Sequence, residues 1–238
     1  MYCRNMHIKL FMQQEDIVYV HKMESTLRRN MHRWLLVAAA TAAVVLLALL
    51  LLGRVTGPLP EEKVLAVATF PSVAEDLNLI LCEGKALSLV PPGVDPHDYQ
   101  LSPGDVERLR TARVIVSTGH TPFEARIRDL VGRGELTAEL VEIPRIPGVS
   151  ILANPATGQP NLHMPIYDPD NYKVFVRYLA GKLSEVDLAH AACYAQKLQQ
   201  LIGEVDSLKL KVRALNITAL ATRPPAQYAV RWAGVEVR

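Results

Sequence analysis

Between residues 63 and 144 the hydrophobic pattern switches period in regular alternation. KVLAVATF (63–70) is an apolar run ended by Pro71 and reads as a buried strand. SVAEDLNLILCEG, starting at Ser72, reads as a helix with Ser72 as N-cap, Glu75 closing a capping box and Gly84 as the stop. ALSLV (86–90) is a second strand, cut off by Pro91, Pro92 and Gly93. SPGDVERLRTA (102–112) is a short helix, RVIVSTG (113–119) a third strand, PFEARIRDLVGRG a helix and ELVEIP (139–144) a fourth strand. Strand and helix in alternation predict an α/β fold with a parallel sheet and helices on its faces.

Past a Pro- and Gly-spaced loop (145–170) the pattern becomes almost wholly helical to about Leu215. Tyr194, Leu198, Leu201, Val205, Leu208, Val212 and Leu215 lie alternately four and three residues apart, which places them on one face of a long helix packed along a domain. ITALAT (217–222) then starts a strand, PPAQYAVRWAG offers a helix and VEVR a further strand. The predicted organisation is a first α/β lobe over 63–167, a helical linker over 168–215 and the start of a second α/β lobe over 216–238. A lobe of that length is expected to leave strand edges and an apolar helix face uncovered.

Half of the 238 residues are hydrophobic, and one segment concentrates that character. Trp34 to Leu52 runs without a charge and would span about 28 Å as a helix, close to a bilayer's hydrocarbon thickness. It exceeds the apolar core of a cleavable signal and reads as a transmembrane anchor, while Gly53 and Gly57 leave open its being a signal cleaved there. Arg28, Arg29 and Arg33 precede it, and Arg54 alone follows before Glu61 and Glu62, so residues 1–33 are expected in the cytoplasm and the bulk outside. Met23 is a more ordinary start for such an anchor. GPLPEE (57–62) is a short linker.

A net charge of +2 gives no reason to expect nucleic acid as a partner. Cys82 and Cys193 have no metal-binding spacing, and both a disulfide and two buried thiols remain open. NIT at Asn216 fits a glycosylation acceptor, a pattern common by chance.

Three of the seven histidines share a topological property. His97 follows the second strand in VDPHDYQ, His120 the third in STGHTPFE, and His163 the fourth in QPNLHMPIYDP. Loops at the carboxyl ends of parallel strands converge on one crevice. Three imidazoles arriving there make a first shell for zinc or another divalent transition metal. Each also has a plainer reading, and for His120 it is a helix cap or a solvent-facing turn. Asp95 and Asp98 flank His97, either to orient its ring or to brace the turn. His190 reads as a helix-surface residue. Motifs of hydrolases and phosphate-binding loops are absent. Glu124 is a conceivable general base beside a metal, but reads better as a helix-start carboxylate at the positive end of the dipole.

These residues carry a resemblance. TFPSVAEDL, then LVPPGVDPHDYQLSPGDVERLRTARVIVSTG, then a histidine ahead of DPDN, resemble the metal-binding solute-binding proteins of zinc and manganese ABC transporters, from about Lys63 to Val237. The resemblance implies two α/β lobes joined by a long rigid helix, with the metal held between them. It also implies transport rather than catalysis, with Zn2+ or Mn2+ as cargo and a membrane permease as partner. The family's first ligand falls on His97 and its second on His163. Its third falls on Arg223, whose guanidinium has no lone pair to offer, and its acidic fourth falls past Arg238. His120 is the candidate to fill the gap. The alternative is a degenerate member of the fold acting as an adhesin or interaction module, with Arg223 holding an anionic partner.

Overall fold

A computed structural model describes residues 31, 34, 37–48 and 65–238. Residues 37–48 are helical and exposed. Among the described residues no helix is long and apolar enough to cross a membrane. The anchor expected over 34–52 lies partly outside those residues, and single-pass anchoring finds no support within them. Of the expected cytoplasmic segment 1–33, only Met31 is described.

Residues from 65 onward belong to one compact unit. Its centre is a four-stranded, all-parallel sheet in the order β2-β1-β3-β4, formed by β1 (Ala66–Ala68), β2 (Leu87–Ser88), β3 (Val114–Ser117) and β4 (Glu139–Glu142). Side chains alternate between its two faces, as the strand period requires. Ala66, Ala68, Val114 and Val116 point into one core, while Val67 and Ile115 point into the other. Both faces are covered, which is why β1 and β3 read as unbroken apolar runs.

Each strand is followed by a helix in the predicted order. The helices are α1 (Pro71–Ile80) after β1, α2 (Pro103–Thr111) after β2 and α3 (Pro122–Gly132) after β3. Two long helices follow β4, α4 (Pro169–Val186) and α5 (Ala191–Lys211). Leu109, Phe123 and Ile127 of α2 and α3 fill one core; Leu77, Phe175, Leu179, Leu183 and Tyr194 of α1, α4 and α5 fill the other. Helix α1 begins at Pro71, not at a Ser72 cap: proline at the first helical position has its φ already set and no N–H to satisfy.

The long apolar stripe packs only at its start. Tyr194 and Leu201 are buried and Leu198 packs partly, but Leu208 is exposed, while Val212 and Leu215 lie beyond the helix end. Helix α5 runs back along α4, with Lys173 2.8 Å from Asp206 and Lys209 2.7 Å from Asp170. A disulfide between Cys82 and Cys193 ties the end of α1 to the start of α5 across 111 residues of sequence. A loop of that size is worth roughly 4–5 kcal/mol in the chain-entropy account, and such a bond belongs to an oxidising compartment.

The last residues form a small βαβ unit. Strand β5 (Ile217–Ala219) pairs in parallel with β6 (Val235–Val237), and α6 (Ala226–Arg231) crosses between them. Buried Tyr228 fastens this unit to the loop after β4. Its hydroxyl donates to the Asn161 carbonyl at 2.6 Å and accepts from the Leu152 N–H at 2.9 Å.

Two outcomes test this packing. Tyr228→Phe strands both of those backbone groups, so it should destabilise residues 217–238 by about 1–3 kcal/mol. Hydrogen exchange should then rise there while β1 and β3 keep their protection. Asp76, on α1, receives the Tyr172 hydroxyl at 3.2 Å, yet burial dominates and pushes its pKa from 3.8 up to about 6. The folded chain therefore holds this proton more tightly than the unfolded chain, and stability is lost as pH rises from about 4 to about 6. Asp76→Asn should match the parent at pH 4 and exceed it at pH 7 by on the order of 1–2 kcal/mol, read as urea midpoints at the two pH values.

Candidate metal centre

The loops that leave the carboxyl ends of β2, β3 and β4 bring His97, His120 and His163 together. Ring centroids lie 5.4 Å apart for His97–His120, 5.7 Å for His97–His163 and 4.5 Å for His120–His163. One nitrogen from each ring lies within 4.8 Å of the other two. His97 is exposed, His163 is half-buried, and the His120 side chain keeps only 7% of its surface. His190 stays outside this group, beside Asp187 and Glu83 near the disulfide.

Each ring is braced by the residue two positions earlier. His97 Nδ1 lies 3.1 Å from Asp95 Oδ1, His120 Nδ1 2.9 Å from Thr118 Oγ1, and His163 Nδ1 3.2 Å from Asn161 Oδ1. Asp95 Oδ1 also accepts the His97 N–H at 2.9 Å, and Asn161 Oδ1 the His163 N–H at 3.1 Å. Asp95 thus both braces the turn and orients the ring. Where Nδ1 donates to an oxygen, the lone pair is left on Nε2.

The loop carrying His97 is pinned from below. Tyr99 packs edge-on against Phe123 at 5.1 Å and donates its hydroxyl to Asp105 at 2.8 Å. Asp105 closes the capping box of α2 with Ser102, whose N–H it accepts at 2.8 Å. Burial alone would raise the Asp105 pKa; the bonds from Ser102 and Tyr99 and the charge of Arg108 overcome it and hold the carboxyl below its ordinary range.

His120 rests on Glu124, which is 1% exposed. Its carboxylate accepts backbone N–H groups from Thr118 at 2.7 Å, His120 at 3.0 Å and Thr121 at 3.0 Å. It also accepts the hydroxyls of Thr69 at 2.6 Å, Ser117 at 3.0 Å, Thr118 at 2.9 Å and Thr121 at 2.9 Å. Burial would raise its pKa, but these bonds outweigh burial and the pKa is lowered. Gly119 makes the arrangement reachable. Its φ of +73° turns the His120 N–H back onto Glu124, and a Cβ there would meet Pro144 Cδ at 3.2 Å. Glu124 is the helix-start carboxylate expected from the sequence, saturated with donors and poorly placed to act as a base.

Burial lowers the pKa of His120, and the neighbouring His163 and His97 lower it further against the pull of Glu124. His163 is lowered too, by burial and then by His97. Both rings are held toward the neutral form that can coordinate a metal. Arg223 is exposed, and its charge helps keep the Asp95 carboxyl low, behind the larger effect of the His97 hydrogen bonds. Arg223 as a docking point for an anionic partner gains no support from this placement.

Asp95, His97, His120, His163 and Glu124 were legible as candidates in the sequence, whereas Thr118 and Asn161 were not. The signal was there in the triplets Asp95-Pro96-His97, Thr118-Gly119-His120 and Asn161-Leu162-His163, each an oxygen-bearing side chain two positions before the imidazole.

Residues 67–238 match the family model described as ZnuA, zinc-uptake complex component A, periplasmic. The iron-binding protein YfeA of Yersinia pestis is 26% identical over 160 residues, 64% of this chain and 49% of that protein. The chain thus spans about half the length of that relative. Among solved structures, a zinc-bound deletion mutant of ZnuA is similar at a TM-score of 0.61 and 19% identity, covering 72% of this chain and 67% of the other. The periplasmic zinc-binding protein TroA of Treponema pallidum gives 0.56 and 22%, covering 74% and 66%. FpvC of Pseudomonas aeruginosa, solved with Mn2+, gives 0.58 and 23%, covering 72% and 65%. At these identities the solved structures speak for the fold, and the family match speaks for the relationship: the chain belongs to the ZnuA family of periplasmic metal-binding solute-binding proteins.

Proposed function

We propose that this chain captures a divalent transition metal outside the cytoplasm and delivers it to an ABC-transporter permease, with His97, His120 and His163 as its ligands. The observation that carries the reading is the convergence of three imidazoles, each with Nδ1 facing an oxygen and with no hydrogen bond to Nε2 among the described residues. Three neutral nitrogen donors suit a borderline metal, so zinc is favoured over manganese. The relatives' names cover iron, zinc and manganese, which leaves that choice to the donor set. Tetrahedral zinc with Zn–N bonds near 2.0–2.1 Å needs its nitrogens about 3.3 Å apart. With the nitrogens already within 4.8 Å of one another, any closure on binding is at most about 1.5 Å, a change within reach of small side-chain rotations.

Residues 63–167 constitute the metal-binding lobe in this proposal, 168–215 the helical linker and 216–238 the beginning of the second lobe. The Cys82–Cys193 disulfide supports a location in an oxidising, extracytoplasmic space.

Calorimetric titration with Zn2+ tests the proposal. The full chain should bind at micromolar or tighter affinity, and His97→Ala, His120→Ala and His163→Ala should each weaken binding by more than about tenfold. No binding at micromolar zinc would overturn it. Protons compete with metal for the same nitrogens. With His120 and His163 lowered from 6.5, affinity should hold from pH 7.5 to about 6.5 and fall below that. Titrations at pH 7.5, 6.5 and 5.5 read this directly.

A further inference from the structure

We propose that Thr118, with its hydroxyl aimed by the buried carboxylate of Glu124, is a positioning residue that sets the tautomer of His120 and so presents Nε2 to the metal. The proposal rests on the reading of the three histidines as a metal centre. The argument is a count of protons and lone pairs. A threonine hydroxyl has one proton and two lone pairs, and can meet an imidazole nitrogen as donor or as acceptor. Taken alone, the 2.9 Å contact between Thr118 Oγ1 and His120 Nδ1 leaves that choice open. Donation would put the ring proton on Nε2 and block coordination.

Glu124 removes the choice. Thr118 Oγ1 lies 2.9 Å from each of its carboxylate oxygens. Those oxygens already receive three backbone N–H groups, which can only donate. An ionised carboxylate has no proton to return, so the Thr118 proton points to Glu124 and its lone pair faces His120 Nδ1. The other two histidines need no such device. Asp95 Oδ1 is a carboxylate oxygen. Asn161 presents its carbonyl to His163, because its amide nitrogen donates to the Pro224 carbonyl at 2.9 Å and to Gln227 Oε1 at 2.8 Å. Only at His120 is the acceptor ambiguous, and there a fully buried carboxylate stands behind it.

The test uses the full chain, first without metal. Long-range proton–nitrogen NMR at pH 7.5, with His120 assigned by comparison with His120→Ala, reads which nitrogen carries the proton. The parent and Thr118→Ser should show Nδ1–H, and Thr118→Val should move the ring toward Nε2–H. Zinc affinity, measured by competition with a chromophoric chelator, should fall about 10- to 100-fold in Thr118→Val and return in Thr118→Ser. In a His120→Ala background, Thr118→Val should change affinity less than about twofold, because its effect runs through that ring. Nε2–H in the parent, or an equal loss with and without His120, would overturn the proposal. The parent tautomer decides the matter even if Thr118→Val fails to fold. A parent showing Nδ1–H but no zinc binding would bring down the metal reading and leave the tautomer assignment standing.

Discussion

A single buried carboxylate holds the carboxyl ends of the central strands to the helix that follows them. Glu124 lies on α3, yet its oxygens are shared among Thr69 after β1, Ser117 and Thr118 at the end of β3, and Thr121 at the start of its own helix. An ionised carboxylate stripped of water is costly unless every lone pair is met. Here the compensation comes from three backbone N–H groups that the strand-to-helix turn leaves unpaired. The charge and the turn therefore require each other. Without the turn Glu124 would not stay buried and ionised, and without Glu124 the turn would leave donors unsatisfied. His120 sits between Thr118 and Thr121 in this turn, with its own backbone N–H among the three donors.

The same logic recurs in weaker form at the other two histidines. Asp95 works at an exposed turn stiffened by Pro91, Pro92 and Pro96, where water competes for every bond. Asn161 is 2% exposed, and its backbone and side chain join His163 to Pro224, Gln227 and Tyr228. The three rings are thus anchored to three different supports: a solvated turn, the sheet's end, and the contact with the small βαβ unit. The centre depends on the first sheet for two rings and on the docking of the last residues for the third.

Much of the fold was legible because strands and helices buried on one face must repeat every two or every 3.6 residues. Alternation placed all four strands of the first sheet, and its topology placed the three histidine loops on one edge. Local chemistry was harder to read. Ser72 carries the marks of an N-cap, but Pro71 can start a helix one step earlier without an N–H to satisfy. The stripe from Tyr194 to Leu215 keeps its spacing past the point where the backbone leaves the helix, because spacing does not record whether a partner is there to cover it. The Cys82–Cys193 bond joins positions 111 residues apart, a pairing that only the stacking of α1 on α5 brings within reach. Thr118 and Asn161 are not legible from spacing for a different reason. Their roles depend on which way a proton or an amide points, and that is decided by Glu124 and Pro224, partners far away in sequence or across a turn.

Electrostatics explain why the three supports are chemically unlike. In the proposed centre a divalent cation on three neutral imidazoles would keep its full charge, and the surroundings would have to accommodate it. Asp95 lies beside His97 in solvent, where its field is screened and partly offset by Arg223. Glu124 lies 4.0 Å from His120 Nδ1 with no exposed side-chain surface, so its charge acts through a medium of lower dielectric. Asn161 adds a dipole and no charge. The cation would therefore be balanced mainly from the buried side of the centre, through His120, with His97 at the solvent-facing rim. In the proposed centre that asymmetry would make His97 the ring freest to swing away, because it is exposed, whereas the His120 side chain keeps only 7% of its surface and its Nδ1 is held against Thr118 Oγ1.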